Sequence, residues 1–296
     1  MDFTPTLSSK ETSKNARDFV SEHKAELGSM MKSILPYLLL LACANLYVQY
    51  FINMDAVDFM RDIQPPETFD EIMQLIIDAQ RYSYGNFLTW VSYLLQICIG
   101  YCFAVIAVSW HRLVLLGRNN YEPMAFSNPQ RHELEFVIMW TVLGTILPVI
   151  LAALFQMDIW LIVLMFVISP YLFFKVSFYF PAKALNSNVS LKSSFQLTGG
   201  YFWKFFFAII RSIIRVGFIY FIFSMVVNIF VSRLAQTWYG NEITSDFMRG
   251  MYEQVVGQPI MSVALLFIFQ PLFTVLGVTV LSNYFQYAMQ NKTAEG

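Results

Sequence analysis

Apolar residues fall in six long runs, roughly 33–52, 86–110, 136–155, 159–179, 208–232 and 259–284. Each is close to the ~20 residues a helix needs to cross the hydrocarbon layer. Backbone N–H and C=O groups find no water there, so a spanning segment must satisfy them internally. None of the runs alternates apolar and polar positions with period two, which argues against a membrane barrel. The pattern predicts an all-α protein: a polytopic membrane helical bundle of about six transmembrane helices, with amphipathic interfacial helices added. It divides the chain into a cytoplasmic N-terminal arm with an amphipathic helix over 1–32, a six-span transmembrane domain over 33–284, and a cytoplasmic C-terminal tail over 285–296.

Three shorter stretches carry a one-sided pattern. In "PPETFDEIMQLIIDAQRY", Thr68 lies three residues before Glu71, the spacing of a capping box. Phe69, Ile72, Met73 and Ile76 share one face there, as do Phe247, Met248, Met251, Tyr252 and Val255 in "TSDFMRGMYEQVVG". Both read as amphipathic helices lying on the outer surface. Hairpins one and three would then share a span–helix–span shape, while hairpin two turns on Gln156, Met157 and Asp158. In the arm, Phe19, Val20, His23, Leu27, Met30 and Met31 recur at near-helical spacing. This predicts an inner-surface helix leading into the first span, floating on the bilayer rather than binding a partner.

Composition agrees with a membrane setting. The 296-residue chain is 57% hydrophobic and 13% charged, against about 25% charged in an ordinary soluble domain. A net charge of −1 argues against nucleic acid as a partner. Cys43, Cys98 and Cys102 lie in apolar runs with no CxxC, so no disulfide framework is implied. No cleavable signal peptide is recognised before the first apolar run. Orientation follows from lysine and arginine: with both termini inside, fifteen of the 19 fall on the cytoplasmic side, and Arg61, Arg81, Arg233 and Arg249 fall outside. Trp110 and Trp203 then lie near the inner interface, Trp160 and Trp238 near the outer one.

Candidate chemistry is sparse. None of the 20 aspartates and glutamates falls within a span, although Glu135 and Asp158 border one. That disfavours a carboxylate-driven transporter, and no paired Gly/Pro interruption suggests broken helices. His23, His111 and His132 lack metal-ligand spacing, and no nucleophile elbow, P-loop or dinucleotide fingerprint occurs. No catalytic residue, metal or cofactor is assigned, and His132-Glu133 reads as part of a solvated loop. Asn45, Gln49, Gln96, Asn228 and Gln270 are uncharged polar residues within spans, suited to hydrogen bonds between helices. A solute path through Asn45, Gln96, Asn228 and Gln270 is the transporter or channel alternative. A membrane enzyme would need a cleft joining His111, Arg112 and the 190–200 turn.

The densest feature is "KVSFYFPAKALNSNVSLKSSFQLTGGYFWKFFFAIIRSIIR", 175–215, with six basic residues and no acidic one. Lys204, Arg211 and Arg215 fall within about 40° of one another on a helix. An arginine at the bilayer centre costs at least about 2.5–3.5 kcal/mol. The segment 201–212 is therefore expected to lie along the inner interface, with the fifth span starting near 213 and Phe205–Phe207 and Ile209–Ile210 dipping toward the acyl chains. Ser190 is a plausible cap for a short helix over 191–198 that ends at Gly199-Gly200. Lys192, Lys204, Arg211 and Arg215 are the candidate lipid head-group residues; Trp110, His111, Arg112, Lys175 and Trp203 form a second inner-interface group.

Lys175, Pro181, Ser193, Ser194, Leu197, Thr198, Gly199 and Trp203 follow a pattern that resembles bacterial multi-pass inner-membrane proteins related to the YciC family. It is similar as well to the membrane domain attached to some glycerophosphodiester phosphodiesterases. "WHRLVLLGR", 110–118, resembles a segment of the same kind of protein. The resemblance covers 175–205 and, loosely, the six-span layout. It implies a bacterial inner membrane and no catalytic residues. The expectation is a non-enzymatic accessory or envelope-homeostasis protein that contacts anionic membrane lipids and, as a partner class, other membrane-protein subunits.

Overall fold

The computed structural model describes residues 5–61, 71, 78, 87–146, 171–187, 189–239, 257 and 259–295, and among these residues all regular structure is helical. Four of the helices are long and apolar enough to cross a membrane: Lys24–Asp55, Phe87–Leu116, Phe202–Arg233 and Pro259–Asn291. The chain is therefore an all-α membrane protein. These helices match the first, second, fifth and sixth predicted spans. Residues 147–155 of the third span and 159–170 of the fourth lie outside the described residues, as do Thr68 of the capping box and nearly all of the two outer-surface helices.

Helix α1 (Ser9–Glu22) starts where Ser8 Oγ accepts from the Glu11 amide. It stops at His23, and α2 (Lys24–Arg61) begins on the next residue. Helix α3 (Phe87–Leu116) ends at Gly117, whose φ of 76° suits a residue without Cβ, and whose N–H returns to the Leu113 carbonyl. Helix α4 (Arg131–Thr141) runs into a π-helical turn over Val142–Ile146. Helical backbone over 171–177 leads to α5 (Tyr179–Ala184), then to α6 (Leu191–Leu197), with Ser190 Oγ accepting from the Ser193 amide at 3.1 Å. Helix α7 (Phe202–Tyr239) has 38 residues. A π-helical turn over Leu265–Phe269 precedes α8 (Gln270–Glu295).

Two expectations are corrected. The break expected near residue 213 does not form, and α7 is continuous from Phe202 to Tyr239. No proline interrupts it, and its ~57 Å length at 1.5 Å per residue exceeds the hydrocarbon thickness, so the arginines can leave the membrane without a bend. The N-terminal helix is no bilayer float: α1 packs on α8, burying Thr12, Ser13, Ala16, Phe19 and Val20. Its apolar face is already covered by the protein.

The chain divides into two compact units. The first comprises residues 1–38, 100–217 and 270–296. Its core is the stretch of α3 from Cys102 to Val114, together with Phe136, Phe174, Phe178, Phe180 and Tyr284. Rings stack edge to face through it, as in Phe136–Phe180 at 5.0 Å and Phe205–Tyr284 at 5.7 Å. Trp110 is fully buried, and its indole N–H donates to Thr279 Oγ1 at 2.8 Å. The second unit comprises residues 39–99 and 218–269. There Gln49 and Gln96 donate to Ser92 Oγ, which donates to Asn45 Oδ1 at 3.1 Å, so Asn45 and Gln49 tie α2 to α3 while Gln96 bonds within α3.

Candidate functional site

The first unit holds two polar constellations. One is centred on Arg112, at the end of α3. Its Nε donates to the Ala184 carbonyl at 2.8 Å, and Nη1 to the Glu122 carbonyl at 3.2 Å. Nη2 meets Glu133 Oε1 at 2.8 Å and His132 Nε2 at 3.1 Å. The guanidinium thereby joins the end of α3, the 117–130 loop, the first turn of α4 and the end of α5. Glu133, 2% exposed, also accepts from the Gln130 amide at 2.6 Å, which caps α4. The solvated-loop reading of His132-Glu133 is therefore overturned. Glu133 is a buried, paired carboxylate at a helix start, and its partner lies 21 positions earlier in the chain.

A cleft of about 540 Å³ lies beside this constellation, lined by Arg112, Asn120, Glu122, Gln130 and His132 among others. His132 accepts from Arg112, so its Nε2 is unprotonated. Burial lowers its pKa, and the Arg112 charge pushes the same way against the opposing pull of Glu133. Next to it, Lys183 Nζ lies 2.6 Å from Glu135 Oε2. The hydrogen bond between them lowers the Glu135 pKa and raises that of Lys183.

Arg112 has nearly all its donors engaged by the protein, so it acts as a clamp and offers little to a ligand. The cleft includes Ala184–Ser187 but not the 190–200 turn. The other residues of the second inner-interface group do not converge. His111 is fully buried, with Nδ1 2.7 Å from Ser282 Oγ and Nε2 unpartnered. Lys175 sits over the Tyr171 ring at 5.6 Å, and Trp203 is 64% exposed. Thus Trp110, His111 and Arg112 are adjacent in the chain but reach three different partners.

The second constellation lies where α1 meets α7 and α8. Asn283, fully buried on α8, accepts from the Thr6 amide at 2.9 Å and donates to the Thr6 carbonyl at 2.7 Å and to Thr12 Oγ1 at 3.1 Å. Arg17 donates through Nη1 to Ser13 Oγ and to the Arg211 carbonyl at 3.0 Å. Arg211 donates in turn to Ser9 Oγ at 2.7 Å. Thus Arg211, a predicted head-group residue, is oriented by the N-terminal arm. Lys192, Lys204 and Arg215 are exposed and make no ion pair among the described residues. Asn283 and Arg17 escaped the sequence reading; Ser8 followed three residues later by Glu11 is the capping signal that could have placed α1.

Of the expected interfacial apolar residues, Phe207 is exposed, but Phe205 is buried against Phe174 and Tyr284. The exposed stripe on this part of α7 is Trp203, Phe207, Ile210 and Ile214, of which Phe207 and Ile210 were expected. Among the described residues no group of three His, Cys, Asp or Glu side chains is placed to hold a metal ion. No family model, no curated protein and no solved structure matches this chain.

Proposed function

We propose that the chain is a non-enzymatic multi-pass protein of the bacterial inner membrane, with both termini cytoplasmic, whose basic inner face holds anionic lipid head groups. On this reading it serves as an accessory or envelope-homeostasis protein. The observation that carries the proposal is the cationic edge of α7. Lys204, Arg211 and Arg215 share one face of an unbroken helix, and none has a carboxylate partner among the described residues.

Helix length supports this placement. Arg215 and Arg233 are separated only by uncharged residues, 216–232. Their Cα atoms lie about 27 Å apart along the axis, close to the ~30 Å of hydrocarbon. Both side chains then reach opposite boundaries by extending outward. Only 6% of the apolar window of α7 is buried in the protein, against 50% for α3, so lipid is its natural surrounding. Arg211 lies about 6 Å beyond Arg215, and Lys204 about 16 Å beyond, in the head-group region once the helix tilts. The anions available at that depth are lipid phosphates.

The test is native mass spectrometry of the full chain released from mixed micelles of phosphatidylglycerol and phosphatidylcholine. The wild type should retain phosphatidylglycerol selectively, and Lys192→Gln/Lys204→Gln/Arg215→Gln should retain less. Equal retention of the two lipids by the wild type would sink the proposal. The transporter or channel alternative draws no support from the polar residues, since Asn45, Gln49 and Gln96 are bonded to one serine.

A further inference from the structure

We propose that Arg17 and Arg211 form a seat for one phosphate group at the junction of α1 with α7. This deepens the lipid reading above and rests on it for the source of the phosphate. The two guanidiniums are positioned by hydroxyls one turn apart on α1: Arg17 by Ser13, and Arg211 by Ser9. Those turns are about 6 Å apart along the axis, within the span of a phosphate and its ester oxygens.

Two features make this spot favourable to an anion. Neither arginine has a carboxylate within ion-pair reach among the described residues. Arg211 meets α1 at Ser9, its first residue, where the helix dipole is positive and disfavours a cation. An anion between the arginines would relieve both. The arginines also hold their positions through backbone and hydroxyl bonds, which leaves further N–H donors for an incoming oxygen.

The seat is composite: the cations come from α1 and α7, and Asn283 on α8 fastens the arm that carries Arg17.

The experiment uses the full chain in detergent, with two probes. Phosphatidylglycerol retention is read by native mass spectrometry, and inorganic phosphate binding by broadening of its phosphorus-31 line. Arg17→Gln should lower retention at least about tenfold, the loss of a charge-assisted hydrogen bond, and Arg17→Lys should keep most of it. Asn283→Ala keeps both arginines in the sequence but loosens the arm that carries Arg17, and should lower retention as well. Wild-type retention that persists unchanged in Arg17→Gln would overturn the seat and leave the lipid reading standing. Phosphate broadening abolished by Arg17→Gln, without phosphatidylglycerol retention, would keep the seat, assign it to free phosphate and overturn the lipid reading. Neither signal in the wild type would overturn both.

Discussion

Replacing Arg112 by alanine removes a guanidinium that joins four chain segments. The substitution leaves Glu133, 2% exposed, without its counter-charge, and frees the Ala184 and Glu122 carbonyls and His132 Nε2. Removing one partner of a buried ion pair costs about 3–5 kcal/mol, mostly through the charge left behind. Arg112→Ala should lose stability in that range. Arg112→Lys keeps a cation but cannot fork to both carbonyls, and should lose about 1–3 kcal/mol. Glu133→Gln in the Arg112→Ala background should recover part of the loss, since the stranded charge is then gone. The assay is equilibrium unfolding in detergent followed by tryptophan fluorescence, to which the buried Trp110 contributes. An Arg112→Ala variant within about 0.5 kcal/mol of wild type, the range of an ordinary surface substitution, would refute the clamp.

Other expectations follow from single contacts. The lowered pKa of His132 means that the unfolded chain protonates it first. Its contribution to stability is therefore complete above about pH 6.5 and declines as pH falls from there toward the folded value, an acid loss that His132→Gln should remove from unfolding curves. Ser92→Ala, which takes the hub from the Asn45–Gln49–Gln96 cluster, should cost about 0.6–1.7 kcal/mol in the same assay. Asn283→Ala should expose α1 to limited proteolysis before any other described helix is cut, because the three bonds from Asn283 to the 6–12 segment are lost together.

Much of the architecture could be read from apolar run length alone. Spans one, two, five and six appear as helices because about 20 apolar residues in lipid have few other ways to satisfy their backbone. The short helix after Ser190 was equally legible, since its cap and its terminal Gly200, at φ 81°, are local signals. What escaped was tertiary. Glu133 looks like a loop carboxylate until Arg112 is brought to it, and nothing within a few residues of either announces the pair. The arm resembles an interfacial float because an amphipathic face has the same pattern whether it meets lipid or α8. The expected break in α7 came from assuming that the helix starts at the membrane boundary. A helix longer than the bilayer is thick keeps its arginines near that boundary without one. Of the head-group residues, Arg211 was visible as a charge, but its orientation by Ser9 was not.

The account rests on where α7 sits in the bilayer, and a depth measurement tests this directly. Spin labels placed singly at Arg215 and at Ser224, on a background without Cys43, Cys98 and Cys102, would be read for oxygen and aqueous-quencher accessibility in bilayers. Position 215 should lie at the phosphate layer and position 224 near the bilayer centre, about 13 Å apart along the helix. A label at 215 as deep as the hydrocarbon midplane would contradict the boundary placement and the head-group role that follows from it.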